Sequence, residues 1–228
     1  MLVGRQKERE LLNKVLHDDV SHFVAVYGRR RVGKTFLIRE TFGYRFTFQH
    51  AGLSEGNMKE QLFAFTASLK DAGFPVKNKP KNWLEAFEEL KDLIRQSNEK
   101  RKVIFIDELS WMDTQKSDLM MALENFWNSF ASARKDIVLI VCASATSWML
   151  SKVVHNKGGL YNRLTEQINL HTFSLYECEE YVQAMGLALN REQILQYYMI
   201  FGGVPFYWRF LKKGIILSQN IYAIIIIK

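Results

Sequence analysis

The chain has 228 residues, enough for one full α/β domain with a smaller companion and for a sizeable buried core. A hydrophobic share of 48%, with only 3 prolines and 13 glycines, excludes the disordered and fibrous classes. The net charge of +7 suits phosphate-bearing partners, DNA among them, although a basic surface serves solubility as readily.

Met1 to Leu12 carries charge at once and lacks the apolar centre of a signal peptide. Residues 5–17 read as a helix with Leu11, Leu12, Val15 and Leu16 on one side. His22 to Tyr27 is a short apolar run ending at Gly28, as a buried strand does. A helix is expected from Lys34 to Phe42. Tyr44 to His50 then alternates, which predicts a second strand with Tyr44, Phe46 and Phe48 on one face.

Two helical stripes follow: Met58, Leu62, Phe65 and Leu69, then Trp83, Phe87, Leu90 and Ile94. Gly73 to Pro80 is the loop between them. Val103 to Asp107 is a third strand. Leu119, Leu123, Phe126 and Phe130 mark another helix, Ile137 to Cys142 a fourth strand and Glu166 to His171 a weaker fifth. Strands alternating with helices predict a largely parallel sheet covered on both faces.

From Phe173 the pattern turns helical. Ser174 with Glu177 and Asn190 with Gln193 have capping-box spacing. Gly202-Gly-Val-Pro205 breaks the chain before a helix from Phe206 to Lys212. The division expected is a core over residues 1–172 and a helical lid over 173–228. The apolar tail from Ile221 to Lys228 is far short of the ~20 residues of a membrane span. It reads as a buried strand or helix whose continuation is missing. Cys142 and Cys178 have no metal or redox spacing, which suits buried thiols in a reducing cytoplasm. The five histidines show no ligand spacing either.

The most informative stretch is Gly28-Arg-Arg-Arg-Val-Gly-Lys-Thr35, which fits the P-loop pattern between a strand and a helix. Glycines at this spacing let a loop fold around an anion, so that backbone N–H groups from Gly28 through Arg29, Arg30, Arg31, Val32 and Gly33 bind phosphate. Lys34 would reach the β- and γ-phosphates and Thr35 would offer its hydroxyl to Mg²⁺, with Phe36 in the first helical turn. The three arginines occupy permissive positions. Their side chains face solvent or a partner, either nucleic acid or a neighbouring subunit.

Asp107 and Glu108 end an apolar strand, where Asp107 would hold Mg²⁺ and Glu108 would polarise an attacking water. Such a pair also caps strand ends. If the fourth strand lies between the other two, Ser144 or Thr146 would sense the γ-phosphate. Arg163 is a candidate contact to nucleotide, in cis or across a subunit boundary.

With these pieces placed, the chain resembles the archaeal-type ATPases of the STAND branch of P-loop NTPases, relatives of the AAA+ proteins. The resemblance rests on Val3-Gly-Arg5 with Glu8 and Leu11, on Tyr27 to Thr35 and on Phe105 to Met112. It continues in Cys142-Ala-Ser144, Leu160 to Arg163 and Gly202 to Tyr207. It implies a three-layer α/β/α sandwich with strand order 5-1-4-3-2. Gly4 and Arg5 would line an adenine pocket, and Pro205 would approach the base from the lid. It also implies DNA-linked or defence-related work. The chain departs from the family pattern at Ala143 and Asn162, where glycine is common. Ser218 to Ile221 resembles the start of the next family helix, so the chain is expected to stop short of its family's length.

The function expected is therefore an ATP-binding, ATP-hydrolysing switch, catalysed by Lys34, Glu108 and Ser144, with ATP and Mg²⁺ as cofactors. ATP and ADP are the expected ligands, self-association is an open expectation, and no membrane partner is expected. A nucleotide-dependent DNA-binding module with little hydrolysis is the alternative, and a small-molecule P-loop kinase a more distant one.

Overall fold

His22–Tyr27 forms β1, and all six of its residues are buried. Burial on both faces is what a parallel sheet requires, because its crossover helices cover each side. The computed structural model describes residues 2–76 and 78–225. Within them β1 stands fourth in a five-stranded sheet of order β2-β3-β4-β1-β5. The others are β2 (Phe48–Ala51), β3 (Lys102–Asp107), β4 (Ile137–Ala143) and β5 (Glu166–Asn169). Every pairing is parallel. This is the order 5-1-4-3-2 that the resemblance implies, read from the opposite edge.

The helices of this part are α1 (Gln6–His17), α2 (Lys34–Thr41), α3 (Met58–Asp71), α4 (Trp83–Gln96), α5 (Leu109–Met112), α6 (Leu119–Phe126) and α7 (Thr146–Met149). Alternate strand residues feed two cores. Phe23, Ala25, Ile104, Ile106, Leu139 and Val141 join the buried stripes of α3, α4 and α6 on one side. Val24, Val26, Phe105, Ile140 and Cys142 pack with Leu12 and Val15 of α1 and with Leu37 and Ile38 of α2 on the other. The expected three layers follow directly from this alternation. The α4 stripe of Trp83, Phe87, Leu90 and Ile94 is almost fully buried, and each such side chain contributes about 1.5–3 kcal/mol of transfer free energy.

β2 differs from expectation. It starts only at Phe48, and Tyr44 is 59% exposed rather than inward-facing. The cause is local: α2 is followed by two left-handed residues, Gly43 at φ 57° and Tyr44 at φ 58°. Phe46 then packs with Phe42 and Phe105 in the core on the α2 side, whereas Phe48 faces Phe65 of α3. The three aromatics do not share a face. α6 runs on as a π-helical turn, Trp127–Ala131, and α7 as another, Leu150–Val154. The sequence reading left the second segment out.

After β5, the four helices α8 (Leu175–Ala184), α9 (Arg191–Phe201), α10 (Pro205–Trp208) and α11 (Leu217–Ile225) share a third cluster built on Phe173, Cys178, Tyr197, Phe201 and Trp208. Both capping boxes form. The helix expected from Phe206 to Lys212 is instead the single turn of α10. Buried Asn220 offers its side-chain oxygen to the Lys212 N–H at 3.1 Å, an alternative to helical pairing. The last part of the apolar tail, residues 226–228, lies outside the described residues. Both cysteines are buried and unpaired, and burial pushes the Cys178 thiol up to about 12. Among the described residues no helix is long and apolar enough to cross a membrane.

Candidate functional site

β1 delivers the chain to Gly28 at φ 142°. A Cβ here would stand 2.2 Å from the Leu170 carbonyl oxygen, so only glycine lets the loop leave the sheet. Arg31 at φ 70° and Gly33 at φ 92° curl the loop onto the first turn of α2. Lys34 turns back across it. Its Nζ donates to the carbonyl oxygens of Gly28 (2.9 Å) and Arg29 (3.0 Å) and to Ser144 Oγ (3.2 Å). All three ammonium protons thus have acceptors, which is how a lysine only 5% exposed remains tolerable.

Because β4 lies between β1 and β3, three strand ends converge over the loop. Asp107, closing β3, accepts from Thr35 Oγ1 at 2.6 Å and from the Glu108 N–H at 2.9 Å. Glu108 itself sits at φ 47°, a left-handed conformation that turns its carboxylate toward β4. There it accepts the backbone N–H and the hydroxyl of Ser144. Lysine can only donate, so the Ser144 hydroxyl accepts a hydrogen bond from Lys34 and donates one to Glu108. Of the two hydroxyls the sequence offered, Ser144 joins Lys34 to Glu108, while Thr146 opens α7.

A cleft of about 680 Å³ opens beside these groups. The N-terminal segment supplies Val3 and Arg5, with Gly4 between them at φ 64°; the loop and α2 supply Arg30 through Phe36; Pro205, Phe206 and Arg209 come from the helical segment after Phe173. Arg5 is buried and tied on every side. Its guanidinium donates to His171 O at 2.7 Å, lies 4.6 Å from the Phe173 ring centroid, and sits 3.8 Å from Glu177 Oε1. Burial lowers its pKa, and the Glu177 charge opposes that shift.

All three loop arginines are exposed, as expected, and two of them also meet aromatic rings. Arg30 lies 5.5 Å from the Trp111 ring, and Arg31 lies 4.4 Å from the Phe206 ring while donating to the Tyr207 hydroxyl at 3.2 Å. Aromatic faces attract guanidinium groups, and neither contact is visible from residue type or spacing. Arg29 is exposed and contributes only its carbonyl to Lys34. Val32 is buried in the core on the α2 side, and Phe36 is half-exposed at the cleft.

Arg163 is not brought to this cleft. It precedes β5, and the neighbouring Thr165 N–H donates to Phe23 O near the start of β1. The loop lies at the other end of β1, so Arg163 is exposed on the opposite sheet edge. Asn162 stands at φ 52°, a conformation that asparagine tolerates better than most residues. Reasoning from sequence also missed Trp111 as a partner of the loop, and Phe206 and Arg209 as cleft residues.

Comparison with known proteins agrees with this geometry. A Methanocaldococcus jannaschii protein is 25% identical over 223 residues, covering 94% of this chain and 47% of that protein. This chain therefore spans about half the length of that relative. An ATP-binding protein of the same organism is 42% identical over 40 residues, 18% of this chain and 68% of its own. Among solved structures, a Walker-type ATPase of Pyrococcus abyssi matches with TM-score 0.64 at 15% identity, over 92% of this chain and 66% of that one. The Aeropyrum pernix ORC2 protein, solved in ADPNP–ADP complexes, matches with TM-score 0.58 at 18% identity, over 85% of this chain and 56% of its own. A STAND protein with a tetratricopeptide-repeat sensor from Pyrococcus horikoshii matches with TM-score 0.56 at 16% identity, over 98% and 32%. At such identities the structural likeness is one of fold. The pattern of an ATPase domain predominantly from Archaea matches residues 2–208, the sheet together with the first helices after it, and the chain belongs to that family.

Proposed function

We propose that the chain binds ATP with magnesium in the 680 Å³ cleft, hydrolyses it, and couples the phosphate state to the helices after Phe173. The observation that carries this reading is the hydrogen-bonded run Lys34–Ser144–Glu108 set beside the pair Thr35–Asp107 at the same sheet edge. Loop amides and Lys34 hold the phosphates. Val3, Arg5 and Pro205 flank the base. Ser144, already touching both Lys34 and Glu108, is the group that senses a γ-phosphate.

The residues fit a magnesium ion. A threonine hydroxyl and a carboxylate 2.6 Å apart are hard oxygen donors, and Mg²⁺ takes one or two such ligands together with phosphates and water. When bound, the ion neutralises charge on the transferring phosphate. Glu108 then works as general base once Ser144 turns from its carboxylate to the phosphate.

The lid over 173–228 acting as a slow switch draws support from the likeness to the STAND protein, and the nucleotide from the complexes of the ORC2 protein. A cytoplasmic setting accords with two unpaired buried thiols. DNA contact through Arg30 and Arg31, exposed beside the Trp111 and Phe206 rings, stays outside the proposal. Arg163, on the far edge, meets a nucleotide only across a contact between copies.

The test is a pair of substitutions. Lys34→Ala abolishes nucleotide binding measured by calorimetry. Glu108→Gln retains binding and lowers turnover by about 10²–10⁴-fold, the usual contribution of a general base. Equal loss of binding and turnover in Glu108→Gln would remove Glu108 from this role.

A further inference from the structure

Arg31 and Arg209 both direct their guanidinium groups at one ring. The Arg31 carbon Cζ lies 4.4 Å from the Phe206 centroid and that of Arg209 lies 4.5 Å from the same centroid. Arg31 belongs to the phosphate loop and Phe206 to α10, 175 positions later in the chain. All three side chains line the cleft that holds Lys34. Tyr207, which accepts from Arg31 Nη1, stacks in turn on Phe201 at 5.7 Å, and Phe201 is part of the lid's own core. Two adjacent rings therefore join the loop to the lid, and Phe206 is the one that meets a guanidinium from each side of that junction.

The charge around that ring is unbalanced. The described lining of the cleft includes Arg5, Arg30, Arg31, Lys34 and Arg209 but one carboxylate, Glu108, whose two oxygens already accept from Ser144. Arg5 has Glu177, and Lys34 has its three acceptors. Arg31 and Arg209 have aromatic faces and a phenol oxygen instead. Two like charges on one ring repel each other, and an anion placed between loop and lid relieves that repulsion. Cation–π attraction also strengthens as water leaves the site.

We propose that Phe206, clasped between Arg31 and Arg209, is a positioning residue that makes the lid's hold on the loop depend on how many phosphates occupy the cleft. Each added phosphate charge offsets the repulsion between the guanidinium groups and draws α10 onto the loop, so a triphosphate closes the lid more firmly than a diphosphate. This rests on the proposed nucleotide site and adds to it the discrimination between ATP and ADP.

The experiment compares the ratio of ATP to ADP affinity, by calorimetry with Mg²⁺, in the unsubstituted chain, Phe206→Leu, Arg209→Gln and Phe206→Leu with Arg31→Gln. Hydrogen exchange of the amides of residues 206–211 is followed with and without each nucleotide. Phe206→Leu keeps an apolar side chain and removes the aromatic face; Arg209 is exposed, so its replacement leaves the core intact. The preference for ATP should fall about fivefold in each single variant, the scale of one partly desolvated cation–π contact. Adding Arg31→Gln to Phe206→Leu should lower it no further, and protection of 206–211 should rise from ADP to ATP only with Phe206 present. An unchanged preference in either single variant, or ATP-dependent protection that survives Phe206→Leu, overturns the clasp while leaving the nucleotide site standing. No binding of either nucleotide by the unsubstituted chain overturns the site and the clasp together.

Discussion

Ser144 donates from both its backbone N–H and its hydroxyl to the carboxylate of Glu108, while its oxygen accepts from Lys34. The proposed base and the lysine proposed to bind phosphate are thus connected through one hydroxyl. In this arrangement Glu108 is occupied, and the proposed reaction must release it. Ser144→Ala removes the connecting oxygen but keeps the backbone donor. Turnover should fall about a hundredfold to a thousandfold, the usual loss on removing one pre-set hydrogen-bond partner in an active site. Nucleotide affinity, measured separately by calorimetry, should change less than that. Turnover equal to the unsubstituted chain would exclude Ser144 from the proposed chemistry.

The two glycines of the loop should respond differently to alanine. At Gly28 the added Cβ meets the Leu170 carbonyl oxygen at 2.2 Å, and β1 and β5 cannot part without losing their pairing. Gly28→Ala should cost about 3 kcal/mol or more, lowering Tm by roughly 6–12 °C for a chain of this size. At Gly33 nothing lies within 4 Å, so only the φ of 92° resists the substitution. Gly33→Ala should cost about 1–2 kcal/mol, the strain of a left-handed alanine. Calorimetric melting of the two variants side by side checks the order.

Arg5 joins the N-terminal segment to the end of the sheet and to α8, through His171 O, the Phe173 face and Glu177. Arg5→Ala leaves the His171 carbonyl without its donor and Glu177 without its nearby cation, although the Ser174 hydroxyl and two backbone N–H groups still hydrogen-bond that carboxylate. The loss should be about 2–4 kcal/mol, as when one member of a largely buried pair is removed. Arg5→Lys should recover little of it, because a single ammonium cannot hold a carbonyl and lie flat on a ring at once. Urea unfolding of both variants is the measurement, and full recovery by lysine would show that charge alone matters there.

Much of this was open to reading because P-loop architecture is built from local signals. β1, β3 and β4 are uninterrupted apolar runs, and buried parallel strands have no other composition to show. The glycine spacing before Lys34 and the two carboxylates after Ile106 mark the site for the same reason: phosphate binding imposes backbone geometry on the chain. Gly43 and Tyr44 misled because a left-handed turn at a helix end overrode the alternation of Tyr44, Phe46 and Phe48. The placement of Ser144 depended on which strand lies beside β1, and strand order is a tertiary property. Arg30 on Trp111 and Arg31 on Phe206 were beyond reach altogether, since nothing in either residue's neighbourhood in sequence specifies the ring it meets.

His50 sets the pH dependence of stability. Its ring is buried at the edge of the sheet, packed on Phe65 and hydrogen-bonded at Nδ1 to Ser68 Oγ at 2.9 Å. The Ser68 hydroxyl donates to Ala64 O, so it accepts from Nδ1–H, and the neutral ring is the form that fits. Burial pushes the His50 pKa down to about 4 from 6.5. The unfolded chain therefore binds a proton that the folded chain refuses throughout this interval. The contribution is fully present above pH 6.5 and is lost as pH falls from there to 4, amounting to about 3 kcal/mol at about 1.4 kcal/mol per pH unit. Asp136, held down to about 2 by Arg134 first and Lys102 second, acts in a different window, below its ordinary value of 3.8. His50→Phe keeps an aromatic ring against Phe65 and cannot titrate. Unfolding free energies measured from pH 7 to pH 4 should fall about 3 kcal/mol less in His50→Phe than in the unsubstituted chain. Parallel curves would mean that His50 accepts a proton in the folded state as readily as in the unfolded one.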